Sequence, residues 1–127
     1  MKKIRGILVD VEKGISPFNQ EIKDAHDIAD MLKCEYVTCV RRYVGGEYVD
    51  IYCDEEALLK PARDPAIITK HNGKIVEILY GNCLLCLHNK QGDMKSLPHR
   101  MFEPIMLAQA NVKVGEKWYL CLQSSLM

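Results

Sequence analysis

Apolar residues change their spacing several times along the chain, and each change marks an element. Ile4 to Val11 is rich in β-branched and aliphatic residues and closes on Glu12-Lys13-Gly14, a turn signal. After Ser16-Pro17, Ile22, Ala25, Ile28, Ala29 and Leu32 recur at helical spacing between Gln20 and Lys33, with Glu21, Lys23, Asp24, Asp27 and Asp30 mostly opposite them. The pattern predicts a first strand feeding directly into an amphipathic helix that lies on a sheet.

Tyr36 to Val44 is β-branched and aromatic and ends at Gly45-Gly46, a pair suited to a two-residue primed turn. Such a turn fixes the register of the returning strand to Asp54. Val44 then opposes Glu47, Tyr43 opposes Tyr48, Arg41 opposes Asp50, Val40 opposes Ile51 and Thr38 opposes Cys53. One face collects Thr38, Val40, Val44, Val49, Ile51 and Cys53 and is assigned to the core. The other collects Arg41, Tyr43, Tyr48, Asp50, Tyr52 and Asp54 and is polar and aromatic. Arg42 falls on the core side beside Val49, a placement that suits only an edge strand.

Asp54 to Lys60 predicts one helical turn stopped by Pro61, followed by a loop through Pro65. Ile67–Lys70 and Lys74–Ile78 flank His71-Asn72-Gly73, and Asn-Gly is a strong hairpin signal. Tyr80-Gly81-Asn82 turns the chain into Cys83–His88, which is apolar on both faces and reads as a central strand. After a loop at 89–93, Ser96 is placed to cap a helix carrying Pro98, Met101, Phe102, Ile105 and Leu107, which Pro104 must kink or restart. Asn111 to Glu116 reads as a turn, Trp118–Leu122 as a strand and 123–127 as a frayed tail. Together these elements predict one α+β domain over residues 1–127, with an antiparallel or mixed sheet of about 5–7 strands built from hairpins and two helices packed on it.

Composition narrows the function classes. Lysine plus arginine (17) equals aspartate plus glutamate (17), so no overall field favours nucleic acid or anionic lipid, and neither is expected as a partner. Apolar runs such as Cys83–Leu87 fall far short of the roughly 20 residues of a membrane span. The apolar run at Ile7-Leu8-Val9 ends at Asp10, too soon for a leader, so a cytoplasmic location with reduced thiols is expected. Cys83 and Cys86 have the spacing of half a zinc site, and Cys34 and Cys39 are the loose second half. In a strand, however, residues three apart point to opposite faces, so these cysteines read as small buried hydrophobes and no metal or cofactor is expected.

Candidate chemistry is sparse. His26, His71, His88 and His99 are scattered, and the chain has no H-E-x-x-H, no G-x-S-x-G and no phosphate-binding loop. No catalytic residue is therefore nominated. Asp54-Glu55-Glu56 is the one acidic triplet, read first as a solvated strand end or helix start. A weaker reading has Asp54, Glu55 and Asp93 holding a metal in a hydrolase. Arg41-Arg42 beside Tyr43, Tyr48 and Tyr52 carries more information, since arginine forks bind phosphate and tyrosine rings stack on bases. The competing reading is an ordinary sheet face on which Arg41 pairs with Asp50. The candidate ligand-binding set is Arg41, Arg42, Tyr43, Tyr48, Tyr52, Asp54, Glu55 and Asn82.

Gly6-Ile7-Leu8-Val9-Asp10, the Gly-Gly-x-Tyr-x-Asp-Ile hairpin at 45–51, Asp-Glu-Glu-x-Leu-Leu-Lys at 54–60, Gly81-Asn82 and Gly92-Asp93 recur together in one family. With these motifs the chain resembles a family catalogued as a domain of unknown function and found in bacteria, plasmids and phages. The resemblance runs from Gly6 to Asp93 and departs after Leu97, where Pro98 and Pro104 interrupt a plainer helix. It implies context and carries over no catalytic residue. The expectation that follows is a non-enzymatic phage or mobile-element protein in the host bacterial cytoplasm. It would sequester a small phosphorylated or nucleotide-like immune signal, as a homo-oligomer with its pocket between subunits. The alternative is an interaction module that inhibits or recruits a host protein through the hairpin face or an edge strand.

Overall fold

Cys83–His88, apolar through Leu87, forms the middle of the larger of two sheets in a computed structural model that describes residues 3–44, 47–60, 64–108, 112–114 and 117–123. In chain order the described strands are β1 (Lys3–Asp10), β2 (Gly14–Glu21), β3 (Val37–Val44), β4 (Glu47–Asp54), β5 (Pro65–His71), β6 (Lys74–Tyr80), β7 (Cys83–His88), β8 (Met94–Lys95), β9 (Val112–Val114) and β10 (Lys117–Gln123). Helix α1 (Ala25–Leu32) lies between β2 and β3, and α2 (His99–Glu103) follows β8. Six strands make one sheet in the order β2-β1-β7-β4-β3, with β8 pairing β7 at one end. The other four make a second sheet, β6-β5-β10-β9, in which β10 runs parallel to β5. The α+β class and the hairpin construction are as predicted, and the strands divide between two sheets.

The β3–β4 pairing follows the predicted register at every position from Val37 opposite Asp54 to Val44 opposite Glu47. The Gly45-Gly46 turn itself lies outside the described residues. The β5–β6 hairpin turns at Asn72 (φ 52°) and Gly73 (φ 80°), both left-handed as a type I′ turn requires.

Four local expectations are corrected. The chain does not pass from β1 into a helix, because Asp10 Oδ1 accepts from the backbone N–H groups of Glu12 and Lys13 and Gly14 takes φ 114°, closing a tight turn. β2 then pairs with β1 along its whole length, and Pro17 is tolerated because β2 is an edge. The helix begins at Ala25, where the Asp24 side chain caps the N–H groups of His26 and Asp27. Residues 54–60 hold a 3₁₀ turn at Ala57–Leu59; the expected stop at Pro61 lies outside the described residues. Ser96 does not cap α2; its Oγ accepts from Arg5 N at 2.8 Å, and Pro98 occupies the cap. Val112–Val114 is a strand paired with β10 within the segment read as a turn, whose Asn111, Gly115 and Glu116, like the tail at 124–127, lie outside the described residues. Pro104, lacking an N–H, ends α2, and the chain continues as a π turn, Pro104–Ala108.

Both faces of the larger sheet are buried along β7. Ile7, Val9, Val49, Ile51, Cys53, Cys83 and Leu85 meet Ala66, Ile67, Leu120 and Leu122 of the second sheet, with Leu97, Met101 and Ile105 closing that layer. On the opposite face Leu84 and Cys86 pack beneath Ile28 and Leu32 of α1. Cys83 and Cys86 thus point to opposite sides of the sheet, as the strand reading requires. Gly6 leaves no room for a side chain between β7 and β2, since a Cβ there would lie 2.3 Å from the Leu85 carbonyl oxygen and 2.7 Å from the Phe18 ring. Among the described residues no helix is long and apolar enough to cross a membrane.

Candidate functional site

Three neighbouring strands bring four polar side chains into one hydrogen-bonded chain on the α1 side of the larger sheet. Pairing of β3 with β4 sets Arg41 opposite Asp50, and pairing of β4 with β7 sets Asp50 opposite Cys86, so His88 lies diagonally next to Asp50 on the same face. Arg41 donates to Asp50 through Nε at 2.7 Å and Nη2 at 3.1 Å. His88 Nδ1 lies 2.8 Å from Asp50 Oδ2, and His88 Nε2 lies 2.8 Å from the Tyr52 hydroxyl. A carboxylate only accepts, so His88 Nδ1 carries a proton and donates to Asp50, which leaves Nε2 to meet the Tyr52 hydroxyl.

The charges fit their surroundings. Asp50 is 3% exposed; burial pushes its carboxyl up, but the hydrogen bonds from Arg41 and His88 outweigh this and hold it below the ordinary range. Burial pushes the Tyr52 phenol up to about 12, so it stays protonated and remains a donor. At the solvent end the Arg41 guanidinium lies over the Tyr48 ring, 4.0 Å from its centroid, and Tyr48 meets Tyr43 edge to face at 6.3 Å. Tyr43 is 39% and Tyr48 37% exposed, which leaves an aromatic platform around the one cation that the hydrogen-bonded chain holds.

The other nominated residues lie elsewhere. Arg42 points between the sheets, donating through Nε to Glu77 Oε1 of β6 at 2.7 Å, through Nη2 to Glu77 Oε2, and through Nη1 to the Arg41 carbonyl at 2.7 Å. Asp54 accepts from Glu56 N and pairs with Lys60. Asn82 accepts from Val11 N at 3.0 Å and donates to the Leu32 carbonyl at 3.2 Å, joining the β1–β2 turn to the end of α1. Asp54 and Asn82 both line a polar cleft of about 160 Å³, with Lys33, Lys60 and Asp64. Glu55 is exposed on the rim of a separate groove beside α1, with His26, Glu35 and Tyr36. Among the described residues no three His, Cys, Asp or Glu side chains are grouped to hold a metal ion.

The family model described as Domain of unknown function (DUF3846) matches residues 4–109. The chain belongs to this family. No curated protein and no solved structure matches it. The DUF3846 match takes in the whole Arg41–Asp50–His88–Tyr52 chain and its tyrosine platform, while β9 and β10 lie beyond it.

Sequence reasoning about this DUF3846 domain missed His88. Its signal was present, since His88 ends the central strand two positions after Cys86. Finding its partner required knowing that β7 lies beside β4, and no turn specifies that long-range pairing.

Proposed function

We propose that the protein is a non-enzymatic binding module that holds a small phosphorylated, nucleotide-like ligand on the Arg41–Tyr43–Tyr48 platform. The carrying observation is the hydrogen-bonded chain of the partly buried Tyr52 and His88 and the buried Asp50 ending at Arg41, which is half-exposed. Burying a carboxylate and an imidazole is costly unless each is fully partnered, and here the partners all serve to orient one solvent-facing guanidinium. Asp50 occupies the Nε–Nη2 edge, so the Nη1 edge takes the anion while the tyrosine rings take a planar group. In its most concrete form the module is a phage or mobile-element protein that sequesters a nucleotide-derived immune signal in the host bacterial cytoplasm, acting as a homo-oligomer.

Titration calorimetry against cyclic nucleotides and ADP-ribose-derived nucleotides tests the reading. Binding to at least one compound is expected, weakened roughly tenfold or more in Arg41→Ala and in Tyr48→Ala. No heat with any compound, or affinity unchanged in Arg41→Ala, overturns it.

A second reading rests on β3, an eight-residue edge of the larger sheet with no proline to block a further strand. There the module pairs with an extended segment of a host protein. A stoichiometric protein retained from bacterial lysate and lost on Val40→Pro would favour that reading over ligand storage.

A further inference from the structure

The six cysteines are free, and the sheet register singles out two of them. Cys53 of β4 lies directly opposite Cys83 of β7, and both side chains enter the core between the two sheets. The remaining four have no such partner. Cys39 is opposite Tyr52, Cys86 is opposite Asp50 on the α1 side, Cys121 lies in the other sheet opposite Ile68, and the Cys34 thiol bonds the Tyr36 carbonyl. Directly opposed residues of an antiparallel pair hold their Cβ atoms roughly 4.5–5.5 Å apart, against roughly 3.5–4.5 Å in a disulfide. Sub-ångström approach of two central strands closes that gap, and a bond made this way is strained and easily reduced.

We propose that Cys53 and Cys83 are a reversible modification site, joined as an intramolecular disulfide by a small peroxide. Cys53 is the residue that meets the oxidant, being 6% exposed where Cys83 is wholly buried. Its thiolate sulfur attacks one peroxide oxygen and the O–O bond breaks, leaving a sulfenic acid and, after proton uptake, one water. The Cys83 thiolate then attacks the sulfenic sulfur, the S–O bond breaks, and the hydroxide departs as a second water. Two thiols have lost two electrons and two protons, and one peroxide has become two waters. Burial pushes the Cys53 thiol up to about 11 and Cys83 well above the ordinary value, so thiolate is scarce in the closed fold and the reaction runs at the pace of core opening. The bond ties together the two strands that carry Asp50, Tyr52 and His88, so the modification acts on the framework of the Arg41 site.

The test uses the full chain with the exposed Cys39 changed to serine. Hydrogen peroxide is added, the protein is denatured, and free thiols are alkylated with N-ethylmaleimide and counted by mass. The expected result is loss of two alkylatable thiols, their return with dithiothreitol, and a non-reducing peptide map that links Cys53 to Cys83. Adding Cys53→Val, a change close in volume and checked for folding by circular dichroism, abolishes the pairwise loss. Full alkylation after peroxide, a link between any other two cysteines, or a pairwise loss that survives Cys53→Val overturns the proposal.

Discussion

At Thr69 a hydroxyl is buried on β5, 3% exposed, with no hydrogen-bond partner among the described residues. An unsatisfied buried hydroxyl costs on the order of 1–3 kcal/mol, and valine has nearly the same shape. Thr69→Val is therefore expected to stabilise the fold by about 1 kcal/mol, read as a rise in the urea midpoint at constant slope. Asp10 shows the opposite condition. Burial pushes its carboxyl up, yet the amides of Lys13 and Glu12 and the Lys33 ammonium bring it below its ordinary 3.8. A carboxyl whose folded pKa is depressed contributes stability that is complete above the ordinary value and lost as pH falls through the folded one. Asp50 behaves in the same sense, so the protein should lose stability on acidification below about pH 4. Asp10→Asn should be less stable than the parent at pH 7 and lose less between pH 4 and pH 3, as urea midpoints at the three pH values would show.

Among the elements, the end of α1 is tied to the β1–β2 turn by a single side chain. Asn82 holds the Val11 amide and the Leu32 carbonyl, so Asn82→Ala strands both and should cost on the order of 1–3 kcal/mol by urea unfolding. A midpoint unchanged within error would show that water replaces the amide at no cost. Two hairpins were the legible part of this fold, while the β1–β2 hairpin was not read. The Gly45-Gly46 pair in the sequence predicted the register observed between β3 and β4, with Arg41 against Asp50, and Asn72-Gly73 predicted the β5–β6 hairpin. Capping chemistry was misread where two signals competed. The helical period from Ile22 hid the end of β2, and Ser96, a good cap by type, was used instead by Arg5. The site was half legible for the same reason. Arg41, Asp50, Tyr43 and Tyr48 share one local hairpin, whereas His88 reaches them only through the β4–β7 neighbourhood, which side-chain burial selects and no local turn announces.

Across the whole molecule, Arg42 is explained by the gap between the sheets. Its ion pair with Glu77 forms a polar clasp joining β3 of one sheet to β6 of the other, and its bond to the Arg41 carbonyl holds the guanidinium from within β3. A double-mutant cycle of Arg42→Ala and Glu77→Ala should give a coupling of about 1 kcal/mol that shrinks as salt is raised. Additive losses would show that the two residues act separately. The sheets differ in how their strands are gathered. The larger sheet joins two neighbour hairpins, β1–β2 and β3–β4, through the late antiparallel strand β7, whereas in the second sheet β5 takes as its inner partner β10, far along the chain and parallel to it. During synthesis the β5–β6 hairpin therefore emerges and waits, with the ladder edge beside Ile67 empty until Leu120 and Leu122 arrive. In that interval the nascent chain presents an open, apolar strand edge to its surroundings, the kind of surface that recruits chaperones or misdirects pairing.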